Sequence, residues 1–214
     1  MTREGSSDVA EIKRRLRLSY RNDTLRRETR GIRPWKTKVL EAFLTRLRPE
    51  QRTIADLGAG PGLYAVSLRD RGMAVTCLDL CPEMAARCAA KGLPAVVGDF
   101  YALPLRTASL DAIWAMSSLL HVPKAHLVDV LGEIARVLRP GGLCYLGFYR
   151  GRMDGYNPND RLDPPRYFAF YQPDELRANA QHPSLDLIAL NVVQFGDIPD
   201  DNDGHIGLTM RQKE

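Results

Sequence analysis

An alternating α/β domain is the fold class this sequence predicts, and three observations predict it. The apolar run Ile54-Ala55-Asp56-Leu57 stops in glycines at every second position, Gly58, Gly60 and Gly62. Residues 63–69 then carry apolar side chains at helical spacing. Two further short apolar runs, residues 74–78 and 95–98, each end in an aspartate, Asp79 and Asp99. Strands alternating with helical patterns mark βαβ units and a parallel sheet.

The glycines let the backbone turn sharply and bring its N–H groups close to a ligand without Cβ interference. Strand, glycine turn and helix is the geometry that sets a nucleotide-like ligand at a helix N-terminus, at the carboxyl end of a parallel strand. The dinucleotide fingerprint G-x-G-x-x-G is not met, because Leu63 stands where its third glycine belongs and Pro61 stiffens the loop. A tight surface turn is the plain alternative. Asp79 argues against it, since an acidic side chain there reaches a ribose diol.

The remaining elements follow in order. Residues 1–8 read as a frayed start, and residues 9–30 carry a loose helical stripe of Val9, Ile12, Leu16, Tyr20 and Leu25 among arginines. Pro34 opens a helix that Pro49 ends, with Trp35 either walling a pocket or capping the core. Residues 73–80 form the second strand, Pro82 opens the next helix, and residues 94–100 form the third strand. Residues 112–118 are the fourth strand, residues 124–138 an amphipathic helix closed by Pro140-Gly141-Gly142, and residues 143–149 the fifth strand. Residues 150–166, rich in Gly, Pro, Asn, Asp and Arg, have the composition of an exposed loop. Gln172-Pro173-Asp174-Glu175 starts another helix, and residues 185–195 and 205–211 supply two more strands.

Composition narrows the class. A chain of 214 residues with 44% hydrophobic and 26% charged residues is expected to be one ordered domain. No apolar stretch approaches the ~20 residues of a membrane span, and the basic N-terminus lacks a signal-peptide core, so a soluble cytoplasmic protein is expected. Cys77, Cys81, Cys88 and Cys144 fit no zinc pattern and read as structural thiols, so no metal is expected. The net charge of +4 is uneven: residues 11–38 hold eleven basic and three acidic side chains, which makes either an interaction surface or a solvated helix face.

Four segments together carry a resemblance. Asp56-Leu57-Gly58-Ala59-Gly60-Pro61-Gly62, Leu78-Asp79-Leu80, Gly98-Asp99-Phe100 and Leu138-Arg139-Pro140-Gly141-Gly142 stand in the order and spacing of class I S-adenosylmethionine-dependent methyltransferases. Over roughly residues 40–150 the chain resembles that family, in its small-molecule, ubiquinone-biosynthesis-like group. The resemblance implies a doubly wound, seven-stranded, mainly parallel Rossmann-like sheet with an N-terminal helical cover, the last strands antiparallel. It divides a single domain 1–214 into a cover (1–48), a cofactor-binding core (49–149) and an acceptor-side loop with C-terminal strands (150–214).

The implied cofactor is S-adenosylmethionine, leaving S-adenosylhomocysteine as product. By the same resemblance Gly58, Ala59, Gly60 and Gly62 make room for the methionine portion and ribose, and Asp79 accepts both ribose hydroxyls. Asp99 accepts from the adenine amino group, with Leu80, Met84 and Phe100 around the ring. Met116 and Ser117 complete the set at the end of the fourth strand, while Asp56 organises the glycine loop. Tyr20 resembles the tyrosine of an N-terminal segment that closes over the cofactor; packing of the helix is its other reading. His121, in Ser117-Ser118-Leu119-Leu120-His121-Val122-Pro123, is either a general base or a loop cap. Tyr149 and Arg150 are placed to orient the acceptor.

The implied activity is methyl transfer to an O or N atom of a small molecule, and the basic cover points to an acidic one. The rivals are an RNA methyltransferase, since His121 with residues 136–142 also resembles enzymes that modify wobble uridine in tRNA, and a non-catalytic S-adenosylmethionine-binding protein. No aromatic-interleaved basic motif supports nucleic acid. Asp163-Pro164-Pro165-Arg166 lacks the aromatic of the DNA amino-methyltransferase motif and reads as a turn. Residues 199–204 are acidic, but proline holds the first calcium-ligand position and Met210 the last, so a solvated turn is expected.

Overall fold

The structure, a computed structural model, describes residues 3–195 and 204–214. The chain runs through helices α1 (Arg3–Asn22), α2 (Thr24–Glu28) and α3 (Pro34–Leu44), then strand β1 (Thr53–Leu57), α4 (Leu63–Arg69), β2 (Ala74–Asp79), α5 (Pro82–Ala90), β3 (Ala95–Val97) and β4 (Leu110–Met116). After two short 3-10 turns come α6 (Leu127–Val137), β5 (Leu138–Tyr149), β6 (Asp154–Tyr156), β7 (Tyr167–Ala169), α7 (Pro173–Asn179), β8 (Leu185–Val193) and β9 (His205–Gln212). Seven strands form one sheet in the order β3-β2-β1-β4-β5-β9-β8. The first five are parallel, β9 lies antiparallel to β5, and β8 lies antiparallel to β9.

The strand order reverses between β1 and β4, so the crevice outside their carboxyl ends is where an open α/β sheet holds ligand. Strand alternation sends neighbouring residues to opposite faces. Ile113 and Ala115 pack with α1 and α6 on one face, whereas Ala112, Trp114 and Met116 pack with α3 and α4 on the other. On β1 the same rule turns Ile54 towards the α3–α4 side and Leu57 away from it. Trp114, fully buried, stacks on Tyr145 at 4.5 Å between centroids. Asp111 ties the strand starts together: it accepts the Arg52 and Thr53 N–H groups, both at 2.9 Å, and holds Arg139 at 2.6 Å.

Two expectations change, and one open alternative is decided. Helix α1 begins at Arg3 instead of after a frayed start. Residues 150–166 are more than an exposed loop, because β6 pairs antiparallel with β7 and the segment folds back over the carboxyl edge of the sheet. The signal was too weak to read, since each strand has three residues. Of the two readings of Trp35 the packing one fits: it lies against Phe195 and His205, with centroids 5.3 and 5.0 Å away, and does not line the cavity beneath the N-terminal helices. The acidic turn 199–203 lies outside the described residues. Among those described, no helix is long and apolar enough to cross a membrane and no cluster of His, Cys, Asp or Glu could hold a metal ion. All four cysteines are buried and free.

Candidate active site

The glycine loop is held by backbone donors before any ligand arrives. Gly58 N and Ala59 N donate to the Leu78 carbonyl at 2.7 and 3.1 Å, which docks the loop on β2. Gly60 N donates to Asp79 Oδ2 at 2.7 Å, and Cys81 N to Oδ1 at 2.9 Å. The buried Asp79 carboxylate thus joins the loop to the start of α5. Burial pushes its pKa up and the two donors work against that shift.

The three glycines serve different ends. All have positive φ, at +71°, +55° and +86°. A Cβ on Gly60 would meet nothing within 4 Å, so this residue presents bare backbone to open space. A Cβ on Gly58 would run into the Ser118 side chain. Gly62 does not face the cavity: its Cβ would lie 3.0 Å from Cys88 Sγ, so it is a packing requirement between α4 and α5 and not part of the expected ligand cradle. Asp56 lies beneath the loop on the α4 face, bonded by the Ala65 N–H, with Oδ2 unpartnered. Burial and the neighbouring Asp79 charge push it up to about 8, so it is protonated at neutral pH. That position suits a loop organiser.

The loop opens on a cavity of about 420 Å³ beneath the N-terminal helices. Tyr20, Gly58, Ala59, Gly60, Asp79, Leu80, Met84, Phe100, Met116, Ser117, His121 and Tyr149 all line it. The structure therefore brings together residues spread over most of the chain. Asp56 and Gly62 do not line the cavity, and neither does Asp99. Asp99 faces an adjoining recess, which shares Leu80 and Phe100 with the cavity and is closed by Val9, Ile12 and Lys13, and its carboxylate is engaged by Lys13 Nζ at 2.5 Å and the Tyr101 N–H at 3.0 Å. The expected adenine partner is thus occupied by the cover helix, a long-range ion pair that local sequence does not announce. Arg150 does not line the cavity either.

On the far wall a polar chain runs inward. Tyr20 Oη lies 2.5 Å from His121 Nε2, and His121 Nδ1 lies 2.7 Å from the Tyr167 carbonyl. A carbonyl only accepts, so Nδ1 carries the proton and Nε2 accepts the Tyr20 hydroxyl. Arg166 Nη1 donates to Tyr20 Oη at 3.2 Å, and Arg166 is itself clamped by the buried Asp160 at 2.7 Å. Burial, with the Arg166 and Arg27 charges, pushes His121 down to about 3, against the opposing Tyr167 carbonyl. His121 is a neutral imidazole with its free nitrogen already occupied, and Tyr20 Oη keeps one lone pair for the cavity.

Sequence reasoning passed over Arg166, Phe168, Phe170 and Lys36, all of which line the cavity. Arg166 looked like part of a proline turn. Lys36 sits in the first turn of α3, and its Nζ donates to Ser117 Oγ at 3.3 Å. Burial, then the charges of Arg30, Arg33 and Arg27, push its pKa down to about 8. The basic run 11–38 was the only available signal for it.

Known proteins match this geometry. Residues 55–146 match the methyltransferase domain family, and over that segment the chain carries a methyltransferase domain. It is 35% identical over 107 residues to the malonyl-[acyl-carrier protein] O-methyltransferase of Enterobacter lignolyticus, covering 48% of this chain and 41% of that protein. It is 36% identical over 110 residues to the tRNA (carboxymethyluridine(34)-5-O)-methyltransferase of Mus musculus, covering 51% of this chain and 16% of that protein. The fold superposes on a Burkholderia thailandensis 1,6-didemethyltoxoflavin-N1-methyltransferase, solved with 1,6-didemethyltoxoflavin and S-adenosylhomocysteine, with TM-score 0.66, 21% identity, and coverage of 97% and 90%. The chain spans less than half the length of the curated relatives it matches. The class cofactor, S-adenosylmethionine, fits the residues present. Gly60 offers uncovered backbone, Asp79 is a fixed buried carboxylate, and Leu80, Met84 and Phe100 form an apolar wall beside it.

Proposed function

We propose that this chain transfers a methyl group from S-adenosylmethionine to an O or N atom of a small-molecule acceptor held in the cavity. The observation that carries the reading is one continuous cavity joining the glycine loop and Asp79 to an aromatic wall of Tyr149, Phe168 and Phe170. When bound, S-adenosylmethionine supplies a methyl on a sulfonium that is its own leaving group. The chain's task is then to orient and to exclude water, which can account for about 7–11 kcal/mol of barrier lowering.

In this reading Asp79 holds the ribose hydroxyls, Gly58 to Gly60 leave room for the methionine chain, and Leu80, Met84 and Phe100 flank adenine. For an amine acceptor, Tyr20 Oη accepts an N–H hydrogen bond, its own proton committed to His121. His121 therefore positions Tyr20 and does not act as the base, since a histidine held near 3 takes up protons poorly at neutral pH. An amine or an ionised oxygen needs no base from the protein.

An RNA acceptor is supported by the mouse tRNA enzyme and by the basic cover. Against it, Lys13, Arg14, Arg15, Arg26 and Arg27 are engaged by Asp99, Glu11 and Asp23, which leaves less charge for phosphates. Purified protein should be stabilised by S-adenosylmethionine in a thermal melt by about 2.7 kcal/mol at a hundredfold excess over Kd. Incubation with a metabolite extract should yield a species about 14 mass units heavier by the added CH2. No stabilisation would overturn the reading, and methylated tRNA in a parallel incubation would transfer it to the rival.

A further inference from the structure

The cavity is lined by six cationic side chains and a single carboxylate, Asp79. Three of the six reach a carboxylate, although Arg27 and Arg161 share theirs with Arg26. Arg27 and Arg161 meet Asp23 at 2.9 and 3.1 Å, and Arg166 meets Asp160 at 2.7 Å. Arg30, Arg33 and Lys36 have no carboxylate within 4.0 Å among the described residues. They come from the short connection between α2 and α3 and the first turn of α3, and the Lys36 contact with Ser117 carries their charge to the carboxyl end of β4.

A half-buried ammonium beside two guanidinium groups repels its neighbours, and an anion between them would remove that repulsion and gain charge-assisted hydrogen bonds. The positive end of the α3 dipole favours the same charge. S-adenosylmethionine does not restore the balance: its sulfonium and ammonium outweigh its single carboxylate, so the loaded cavity is more cationic than the empty one. Phe168 and Phe170 supply an apolar wall in the same cavity.

We infer that Arg30, Arg33 and Lys36 bind a carboxylate of the methyl acceptor, which makes the substrate class a small organic acid with an apolar or aromatic body. The inference rests on the methyl-transfer reading above. The other source of the same chemistry is the methionine carboxylate of the cofactor, and two titrations separate them.

The first titration measures S-adenosylhomocysteine binding by calorimetry to the wild type, Lys36→Met and Lys36→Arg. The second measures, on each S-adenosylhomocysteine complex, three matched pairs: benzoate against benzamide, indole-3-acetate against its amide, and cinnamate against its amide. The expected result is that carboxylates bind the wild-type complex about tenfold more tightly than their amides. Lys36→Met should abolish that preference, Lys36→Arg should restore most of it, and S-adenosylhomocysteine affinity should stay within about threefold throughout. No preference for the carboxylates, or one that survives Lys36→Met, overturns the inference. Loss confined to S-adenosylhomocysteine in Lys36→Met assigns the cations to the cofactor and also overturns it, while leaving methyl transfer intact. Wild type that binds no S-adenosylhomocysteine removes the reading and the inference together. Circular dichroism melts confirm that each variant is folded.

Discussion

Tyr20 and Asp79 do opposite kinds of work at the scale of single residues. Tyr20 Oη is the junction of a neutral imidazole and a clamped guanidinium. Tyr20→Phe should lower kcat about tenfold or more with little change in S-adenosylhomocysteine affinity, because the lost group faces the acceptor. The same variant leaves His121 Nε2 buried without a donor, so unfolding in urea should show a loss of about 1–3 kcal/mol. Asp79 holds the loop itself. Asp79→Ala removes the acceptor for Gly60 N and Cys81 N, and isothermal titration should show cofactor affinity falling about tenfold to a hundredfold. Unchanged affinity would mean that the loop is held by its Leu78 contacts alone.

At the scale of elements, the glycine spacing serves packing as much as ligand. Gly62 is the N-cap of α4 in the left-handed region and abuts Cys88 of α5. Gly62→Ala should cost about 1–3 kcal/mol of stability by denaturant titration, from backbone strain and a contact that Cys88 must yield to. A neutral outcome would show that α5 shifts freely. The β6–β7 pair and α1 belong to the same layer of cover: Ser19 and Asn22 donate to the Pro164 and Asp163 carbonyls, so the N-terminal helix and the segment after β5 close the cavity jointly.

For the whole molecule, stability against pH is a balance of opposed buried groups. His121 and His205 are both held near 3 by burial, and His205 has no hydrogen-bond partner among the described residues. Below about 6.5 the unfolded chain takes up protons that these two histidines refuse, so they lower stability as pH falls from 6.5 towards 3. Asp56 has the reverse sign. Raised to about 8, it stays protonated in the fold while the unfolded carboxyl ionises, so its cost grows as pH rises from about 4 to 8. Asp56→Asn should therefore flatten the alkaline limb between pH 6.5 and 8 by about 1–2 kcal/mol, and His205→Phe should flatten the acid limb, both measured as urea midpoints. Parallel curves for variant and wild type would show that these groups do not titrate with folding.

Period and punctuation in the sequence determined the layered α/β order, the glycine loop and the position of Asp79, because alternation, helical spacing and turn residues act locally. The first three motifs carried the glycine-loop and Asp79 side of the cavity, Gly58 to Pro61 with Asp79, Leu80 and Phe100. Tertiary structure alone decided the rest, because the deciding contacts join residues far apart in the chain. It withdrew Asp99 to an ion pair with Lys13 and turned Gly62 to packing. It capped His121 with Tyr20, and it brought Arg166 from an apparent turn to a buried place at the site. Whether a charged side chain lines a cavity or faces water depends on which distant carboxylate lies within reach, and Lys36, with none among the described residues, is the residue on which that distinction turns.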